Sequence, residues 1–556
     1  MISKSFLASF LFVLTGMLRV AAADLRVEVE AFMGPEKLGF DSLRLTNEAG
    51  QIFSVGRLDM HLSEIALRDA AGNWAGPSDW FAYLSLREGR NGFTLKGVPS
   101  GKYTALRFQV GLPPQVNAAD ATKYPAGHPL NPSVSTLWWG WSGGYVFFAI
   151  EGGWRRPDQS FSGYSYHVAT DKHLMTVEIP CQLELADAAK ASLRLDVAKV
   201  MKGVALSDGQ NSTHSRDGDE VAALLHRNIE GAFSLASLSS GAMAPGETVK
   251  AAVKPEGTLV PFSFPSSLPM PQLPGDNPLT KEGIELGRSL FHDRRLSINN
   301  RQSCADCHQS QHGLTDGLRV SVGAEGHRGH RNAMPLFNLA WKSSFFWDGR
   351  APSLRQQVLM PVQDPVEMHL PLEEAERRTG LSREKISKSL EQFLLTLVSA
   401  EAKFDRVTSG KEQFTESEAR GFTLFHTEYD PRQNLRGADC FHCHGGPLFQ
   451  SKPFANNGLD ATPKDRGLAL VTRNAADEGK FAVPSLRNVA LTAPYMHDGR
   501  FATLEDVIKH YDHGMQRSET LDPNLAKHPA SGLGLSDQDV ADLVAFLRTL
   551  TDESAK

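Results

Sequence analysis

Two hydrophobic rhythms divide the chain. From residue 24 to about 200, apolar side chains recur at every second position. Leu25, Val27 and Val29 alternate with charged residues, Leu58, Met60 and Leu62 with polar ones, and Leu193, Leu195 and Val197 repeat the pattern. A period of two puts successive side chains on opposite faces of a strand, so this stretch predicts sheets with one buried face. Tyr145 to Ile150 is a dense aromatic and β-branched run behind Gly143-Gly144. With Gly, Pro and Asn between the runs, the pattern predicts a β-sandwich or barrel, followed by one amphipathic helix from Asp219 to Phe233.

The rhythm then stops. Residues 242 to 278 carry Pro261, Pro265, Pro269, Pro271 and Pro274, which neither continue a helix nor donate to a ladder. They predict an extended linker, and the apolar Phe262, Phe264 and Leu268 predict that it lies against a surface. Beyond Thr280 the period becomes helical. Thr280 is an N-cap for a helix ending at Phe291, and Ser382 starts one running to Ser399. Ser536 and Asp539 form a capping-box pattern that opens a last helix through Leu550.

Length and charge narrow the class. The 556 residues leave room for about three domains, and a net charge of -6 without a basic stripe argues against nucleic acid as a partner. Lys4, the apolar run Phe6 to Leu18 and the small residues Ala21-Ala22-Ala23 read as a signal peptide. The alternative is an uncleaved anchor, but the run is short for a bilayer. No later stretch is long and apolar enough for a membrane helix, so an exported protein, periplasmic in a bacterium, is expected.

Four of the five cysteines supply the chemistry. Cys304-Ala305-Asp306-Cys307-His308 and Cys440-Phe441-His442-Cys443-His444 both fit the C-x-x-C-H pattern of c-type haem attachment. Thiols three positions apart bond both vinyl groups of one porphyrin, and the adjacent imidazole reaches its iron. A zinc knuckle or redox pair is the other reading of a single such motif. The motifs stand 136 positions apart (440 minus 304), which predicts two covalent haems in tandem domains. Cys181 is left over and reads as a small buried apolar residue.

The stretches Leu286-Gly287-Arg288-Ser289-Leu290-Phe291, Phe346-Trp347-Asp348-Gly349-Arg350, Pro365-Val366-Glu367-Met368 and Ala493-Pro494-Tyr495-Met496-His497-Asp498-Gly499 together resemble the bacterial di-haem cytochrome c peroxidase and MauG family over residues 265 to 550. The resemblance implies a peroxidatic haem on His308 and a second haem on His444. It implies Glu367 as the distal carboxylate that moves a proton between peroxide oxygens, with Gln357 beside it. On its own Glu367 reads equally as a surface carboxylate. Trp347 matches the tryptophan between the haems, although a buried aromatic would stand there in either case. Asn332, Thr492 and Pro494 match positions that hold calcium.

Two departures refine the expectation. Counting back from Asn332, the histidine that closes the first haem in many relatives falls on Ala324, with His327 and His330 out of register, so this haem is expected to be open. Counting from His497, the sixth-ligand methionine of the second haem falls on Tyr511. A phenolate there favours oxidised iron and lowers the potential. Met496 and Met515 are the other candidates, and Tyr511 also reads as a helix-face aromatic.

Pro129-Leu130-Asn131-Pro132 and Leu137 to Tyr145, with Arg57-Leu58-Asp59, His167 and Cys181, resemble MbnP, a periplasmic copper-binding family, over residues 24 to 236. That resemblance implies a partner enzyme of MauG type, MbnH, which oxidises an MbnP tryptophan to kynurenine. Trp138, Trp139 and Trp141 are the candidate targets, with a packed aromatic core as their alternative. His61, His128, His167 and His173 are copper candidates, each also readable as an ordinary surface or core histidine.

The expected division is therefore a signal segment at 1–23, an MbnP-like β-rich domain at 24–236, a proline-rich linker at 237–278, a peroxidatic cytochrome c domain at 279–420 and a second cytochrome c domain at 421–556. The expected activity is hydrogen-peroxide-driven oxidation of tryptophan in the chain's own copper-binding domain or in that of a neighbouring copy. The alternatives are a detoxifying peroxidase fed by a small cytochrome or copper protein, and a copper-transport protein with an electron-relay haem half.

Overall fold

The alternating strand Ala22–Met33 buries Leu25, Val27 and Val29 completely and leaves Arg26, Glu28 and Glu30 partly covered. In the computed structural model, which describes residues 22–139, 144–240, 257–431 and 434–555, this strand pairs in parallel with Ala188–Asp196 and antiparallel with Gly92–Pro99. Phe233–Ser240 extends the sheet on the far side of Ala188–Asp196. A larger sheet runs in the order Met175–Leu185, Gly101–Val110, Arg57–Asp69, Gly144–Arg155, Phe161–Ala169, with Ser212–Thr213 at its edge. The inward rows of both sheets share one core, as the period-two pattern predicts. The expected signal segment lies outside the described residues up to position 21, and Ala22 and Ala23 already belong to the first strand.

The helix expected at 219–233 is Glu220–Glu230. Asp219 caps it by accepting the backbone N–H groups of Val221 and Ala222 at 3.0 and 3.1 Å. Phe233 belongs to the last strand instead, which runs past the expected boundary at 236. Ser237, Leu238 and Ser239 keep the ladder with Ser192, Ala191 and Lys190.

Two strands depart from alternation. Every residue of Phe161–Ala169 is buried, and so are residues 145–154 of the neighbouring strand. One face of this pair, with Phe148, Ile150, Tyr164 and Tyr166, fills the sandwich core. The other face carries Glu151, Gly163, Ser165 and His167, and the second haem-motif domain covers it. The approach is close. A Cβ on Gly163 would sit 1.9 Å from the Pro523 carbonyl oxygen, and Ser162 Oγ donates to Ala526 O at 3.3 Å.

The helical half repeats itself. Lys281–Phe291, capped by Thr280, crosses Arg383–Leu395, and Glu416–His426 crosses Asp537–Arg548. Each crossing turns on a glycine: a Cβ on Gly287 would lie 1.9 Å from Ser389 O, and one on Gly421 1.9 Å from Asp542 O. Phe393 and Phe546, one turn further along the partner helices, pack beside them. A second repeat joins Phe346-Trp347-Asp348-Gly349-Arg350 to Met496-His497-Asp498-Gly499-Arg500. Phe346 and Met496 are both left-handed (φ 68° and 77°), and each Asp pairs with the Arg two positions on. Asn338 Nδ2 donates to Ser399 O at 3.0 Å and Asn488 Nδ2 to Ser399 Oγ at 2.9 Å, which ties the halves together.

Of the linker, residues 257 onward are described. Phe262 and Phe264 pack on Trp341, whose Nε1 donates to Pro269 O at 2.6 Å. Asn131 Nδ2 donates to Met270 O at 3.3 Å, so the segment also touches the β-rich domain. Among the described residues no helix is long and apolar enough to cross a membrane.

The contact at Gly163 carries a test. Gly163→Ala should force the β-rich domain off the second haem domain at a cost of about 1–3 kcal/mol. In calorimetry, the single co-operative transition expected of the parent should split or fall in temperature, with haem content unchanged.

Candidate functional site

The first C-x-x-C-H motif is a single helical turn, Cys304–Cys307. Ser303 opens it, with both its backbone N–H and its hydroxyl donating to Asp306 Oδ2 at 2.8 Å. His308 follows with Nδ1 2.9 Å from Leu314 O, and His444 repeats the contact with Phe449 O at 3.2 Å. A ring N–H given to a carbonyl fixes the tautomer and leaves Nε2 as a lone-pair donor, the arrangement an axial haem ligand needs. The four thiols are unpaired. Burial pushes Cys304, Cys307 and Cys440 up to about 12, and raises Cys443 as well. Paired thiols beside a tautomer-fixed imidazole fit covalent haem at both motifs.

Glu367 faces the first motif, and its charge acts on both Cys304 and Cys307. Burial raises its carboxyl to about 7, Asp364 adds to the rise, and Arg350 opposes it. Ala324 donates its N–H to Glu367 O at 2.7 Å, so the loop expected to carry a closing histidine lies against the glutamate and brings a methyl group. His327 and His330 are exposed. Gln357 ends the short helix Leu354–Gln357, ten positions before Glu367, and is half-buried.

At the second motif, Asn457 Nδ2 lies 3.3 Å from both Tyr511 Oη and Met496 Sδ. Tyr511 and Met496, two of the three ligand candidates, therefore converge on one amide. Tyr511 belongs to the π-helical turn His510–Gly514, a local widening often found at functional sites. Burial raises its phenol, and Asn457 opposes the rise.

Trp347 is buried where the haem domains meet. Its Nε1 donates to Asn332 O at 2.8 Å and its carbonyl accepts from Ala482 N at 2.7 Å. Asn332 N in turn donates to His497 O at 2.8 Å, which places Asn332 beside the segment holding Thr492 and Pro494. Asn332 Nδ2 donates to Leu318 O, leaving its amide oxygen as a hard donor of the type calcium takes.

On the β-rich domain, Trp138 and Trp139 pair with Tyr145 and Gly144, while Trp141 lies outside the described residues. Trp138 packs against the sandwich core. Trp139 faces the interface, with its ring 5.1 Å from that of His214 and 5.9 Å from that of His167.

The four expected histidines do not converge. His61 is bonded at both nitrogens, Nδ1 to Val146 O and Nε2 to Ser135 Oγ. His128 stacks on Tyr124, and His173 turns Nδ1 to Ala169 O and Thr170 Oγ1. His167 instead meets His214 and His442, two residues that the sequence reading missed.

These three lie in a buried ionic network across the interface. Glu151 pairs with Arg57 at 2.8 Å and Lys452 at 3.2 Å. Lys527 pairs with Glu428 at 3.0 Å and Asp439 at 3.2 Å. Burial opposes ionisation of these carboxylates. Lys452, Arg57 and His167 outweigh it at Glu151, and His214, His442 and Lys527 outweigh it at Glu428 and Asp439, so all three are held well below the usual range.

Family models match three stretches of the chain: MbnP at residues 22–215, di-haem cytochrome c peroxidase at 281–384 and cytochrome c at 418–551. The methylamine utilization protein MauG of Methylophilus methylotrophus is 33% identical over 313 residues, 53% of this chain and 89% of that protein. Cytochrome c551 peroxidase of Nitrosomonas europaea is 30% identical over 342 residues, 58% of this chain and 91% of that one. A solved structure, described as a MauG-like protein associated with microbial copper homeostasis, shares 34% identity over 53% of this chain and 97% of its own, with a TM-score of 0.47.

Two outcomes follow from the distal groups. If Glu367 takes the peroxide proton, the rate of reaction with peroxide should rise with pH through about 7, as its carboxylate forms. Glu367→Gln should lose that inflection and slow by about 10²–10⁴-fold in stopped-flow measurements. Tyr511→Phe should change the absorption and EPR spectra of the second haem while Met496→Leu leaves them alone. The reverse result makes methionine the ligand.

Proposed function

This chain belongs to the di-haem cytochrome c peroxidase and MauG family of oxidoreductases, and on that premise we propose that it uses hydrogen peroxide to oxidise Trp139 of its own β-rich domain to kynurenine. The observation that carries this reading is the position of Trp139, whose ring faces His214, which in turn lies 5.8 Å from Phe441 inside the second haem motif. One ring thus separates the indole from the motif.

The two haems supply the one-electron chemistry that links peroxide reduction to oxidation of a distant side chain. The chain's residues set where this happens. Glu367, with a carboxyl raised to about 7 by burial, is poised to take a proton from one peroxide oxygen and return it to the other. Ala324, whose N–H donates to Glu367 O, carries a methyl group where a closing histidine would otherwise be expected. Trp347, fixed by hydrogen bonds to both halves, occupies the junction between the motifs. The indole gains two oxygen atoms from two equivalents of peroxide as its pyrrole ring opens. Hydrolysis then releases formate, leaving kynurenine and one net water.

Copper binding by the β-rich domain, calcium at Asn332, Thr492 and Pro494, and a periplasmic location belong to the same reading. A kynurenine aniline nitrogen formed at Trp139 would lie beside His167 and His214, where it adds a donor for copper.

Peptide mass spectrometry tests the proposal. Peroxide should add about four mass units to the peptide carrying Trp139, the exchange of one carbon for one oxygen. The gain should be absent in Glu367→Gln and Trp347→Phe. Unmodified Trp139 in peroxide-treated parent protein would leave a peroxidase that draws electrons from a separate redox protein as the better reading.

A further inference from the structure

His167 and His214 come from the outer face of the β-rich domain, and His442 comes from inside Cys440-Phe441-His442-Cys443-His444. One ring nitrogen of each lies within 4.8 Å of the other two, and all three rings are buried. His167 Nδ1 stands 3.3 Å from His214 Nε2, which stands 3.1 Å from His442 Nε2. Each ring also turns its other nitrogen to a carboxylate: His167 Nε2 to Glu151 at 3.0 Å, His214 Nδ1 to Glu428 at 2.6 Å, and His442 Nδ1 to Asp439 at 2.8 Å.

This pattern has a direct chemical consequence. A carboxylate within about 3 Å of each outer nitrogen favours a proton on that side, through a hydrogen bond at His167 and by charge at His214 and His442, and in that state the inner nitrogens face one another as lone-pair donors. Lone pairs at such separations repel, and a cation among them converts the repulsion into coordination. Nitrogens about 2 Å from a shared ion with tetrahedral or trigonal angles are spaced a little over 3 Å apart. The backing carboxylates are the outer-shell partners that orient imidazole ligands in metal sites. The charge points the same way. In the buried network, the carboxylates of Asp59, Glu151, Glu428, Asp439 and Asp522 outnumber the cationic Arg57, Lys452 and Lys527 by two. A cavity of about 240 Å³, lined by Trp139, His214, Ser215, Glu428 and Phe441 among others, reaches the cluster at His214.

We propose that His167, His214 and His442 form one three-imidazole site for a late first-row ion, copper or zinc, shared between the β-rich domain and the second haem domain. Imidazole suits both ions. The new element is His442: the haem-attachment motif itself supplies a ligand, so the ion sits next to the residues that hold the second haem. Occupancy then does two things. It clamps the domains together, because neither supplies all three nitrogens. It also places a positive charge beside the second haem, which favours the reduced form and raises its potential. The inference rests on the copper reading only for the choice of ion, and not on oxidation of Trp139.

The test uses the full-length protein with both haems, freed of other metals and titrated anaerobically with Cu(I) and separately with Zn(II). One ion per chain, with three imidazoles counted by X-ray absorption at the metal edge, is the expected result. His442→Gln, checked for unchanged haem content, should weaken binding by more than about 100-fold, beyond what loss of an outer-shell partner does. Metal loading should raise the second haem's potential in the parent and not in that variant. Tight binding with two imidazoles, unaffected by His442→Gln, overturns the shared site while leaving copper binding by the β-rich domain intact. Absence of binding by either ion overturns both.

Discussion

The structure depends on a set of charges that could not be buried singly. Glu151, Glu428 and Asp439 are removed from water where the β-rich domain meets the second haem domain, and each lies between a cation and an imidazole. A buried carboxylate costs several kcal/mol when unpaired, and breaking one such pair costs about 3–5 kcal/mol. The two faces therefore fit one another in a single register. That register brings Trp139, His167 and His214 against Phe441 and His442. The fully buried strand pair at 145–154 and 161–169 follows from the same constraint: its outer face is polar because its cover is polar.

The haem half is organised around a repeat, and the repeat explains the place of Trp347. Gly287 and Gly421 allow equivalent helix crossings, and the two Asp-Gly-Arg turns put Trp347 and His497 in corresponding positions. Near-identical frames thus hold different chemistry. The first presents an indole to the domain junction and leaves a carboxylate, Glu367, over its motif. The second stacks His497 on Phe481 at 3.6 Å and brings Tyr511 and Met496 together over its own. Local sequence differences on a duplicated scaffold thus place a carboxylate at the first motif and a phenol with a thioether at the second.

Much of this was legible in the sequence, and the rest was not for definite reasons. Period-two alternation marks Ala22–Met33 and Ala188–Asp196 because only one face of each is buried. The caps at Thr280, Ser382 and Ser536 are local and were readable as such. The haem motifs declare themselves by spacing. The repeat of Phe-Trp-Asp-Gly-Arg as Met-His-Asp-Gly-Arg was visible but is short. The histidine cluster was hidden. His214 follows a two-residue strand whose pairing with Phe161–Ala169 brings it to His167, and His442 occupies a position that the motif leaves unspecified. No linear spacing links them. The one available hint was polar residues, Glu151 and His167, inside strands otherwise too apolar to face water.

The buried interface holds Trp139 against the second haem domain of its own chain, so its oxidation should occur within that chain. Mixing two full-length variants separates oxidation within a chain from oxidation between chains: Trp139→Phe, which keeps Glu367, and Glu367→Gln, which keeps Trp139. After peroxide, peptide mapping should find no kynurenine in the Glu367→Gln chains, because their indole is held against their own disabled site. Kynurenine in those chains at the parent's yield would show that the tryptophan is oxidised by another copy and not across its own interface.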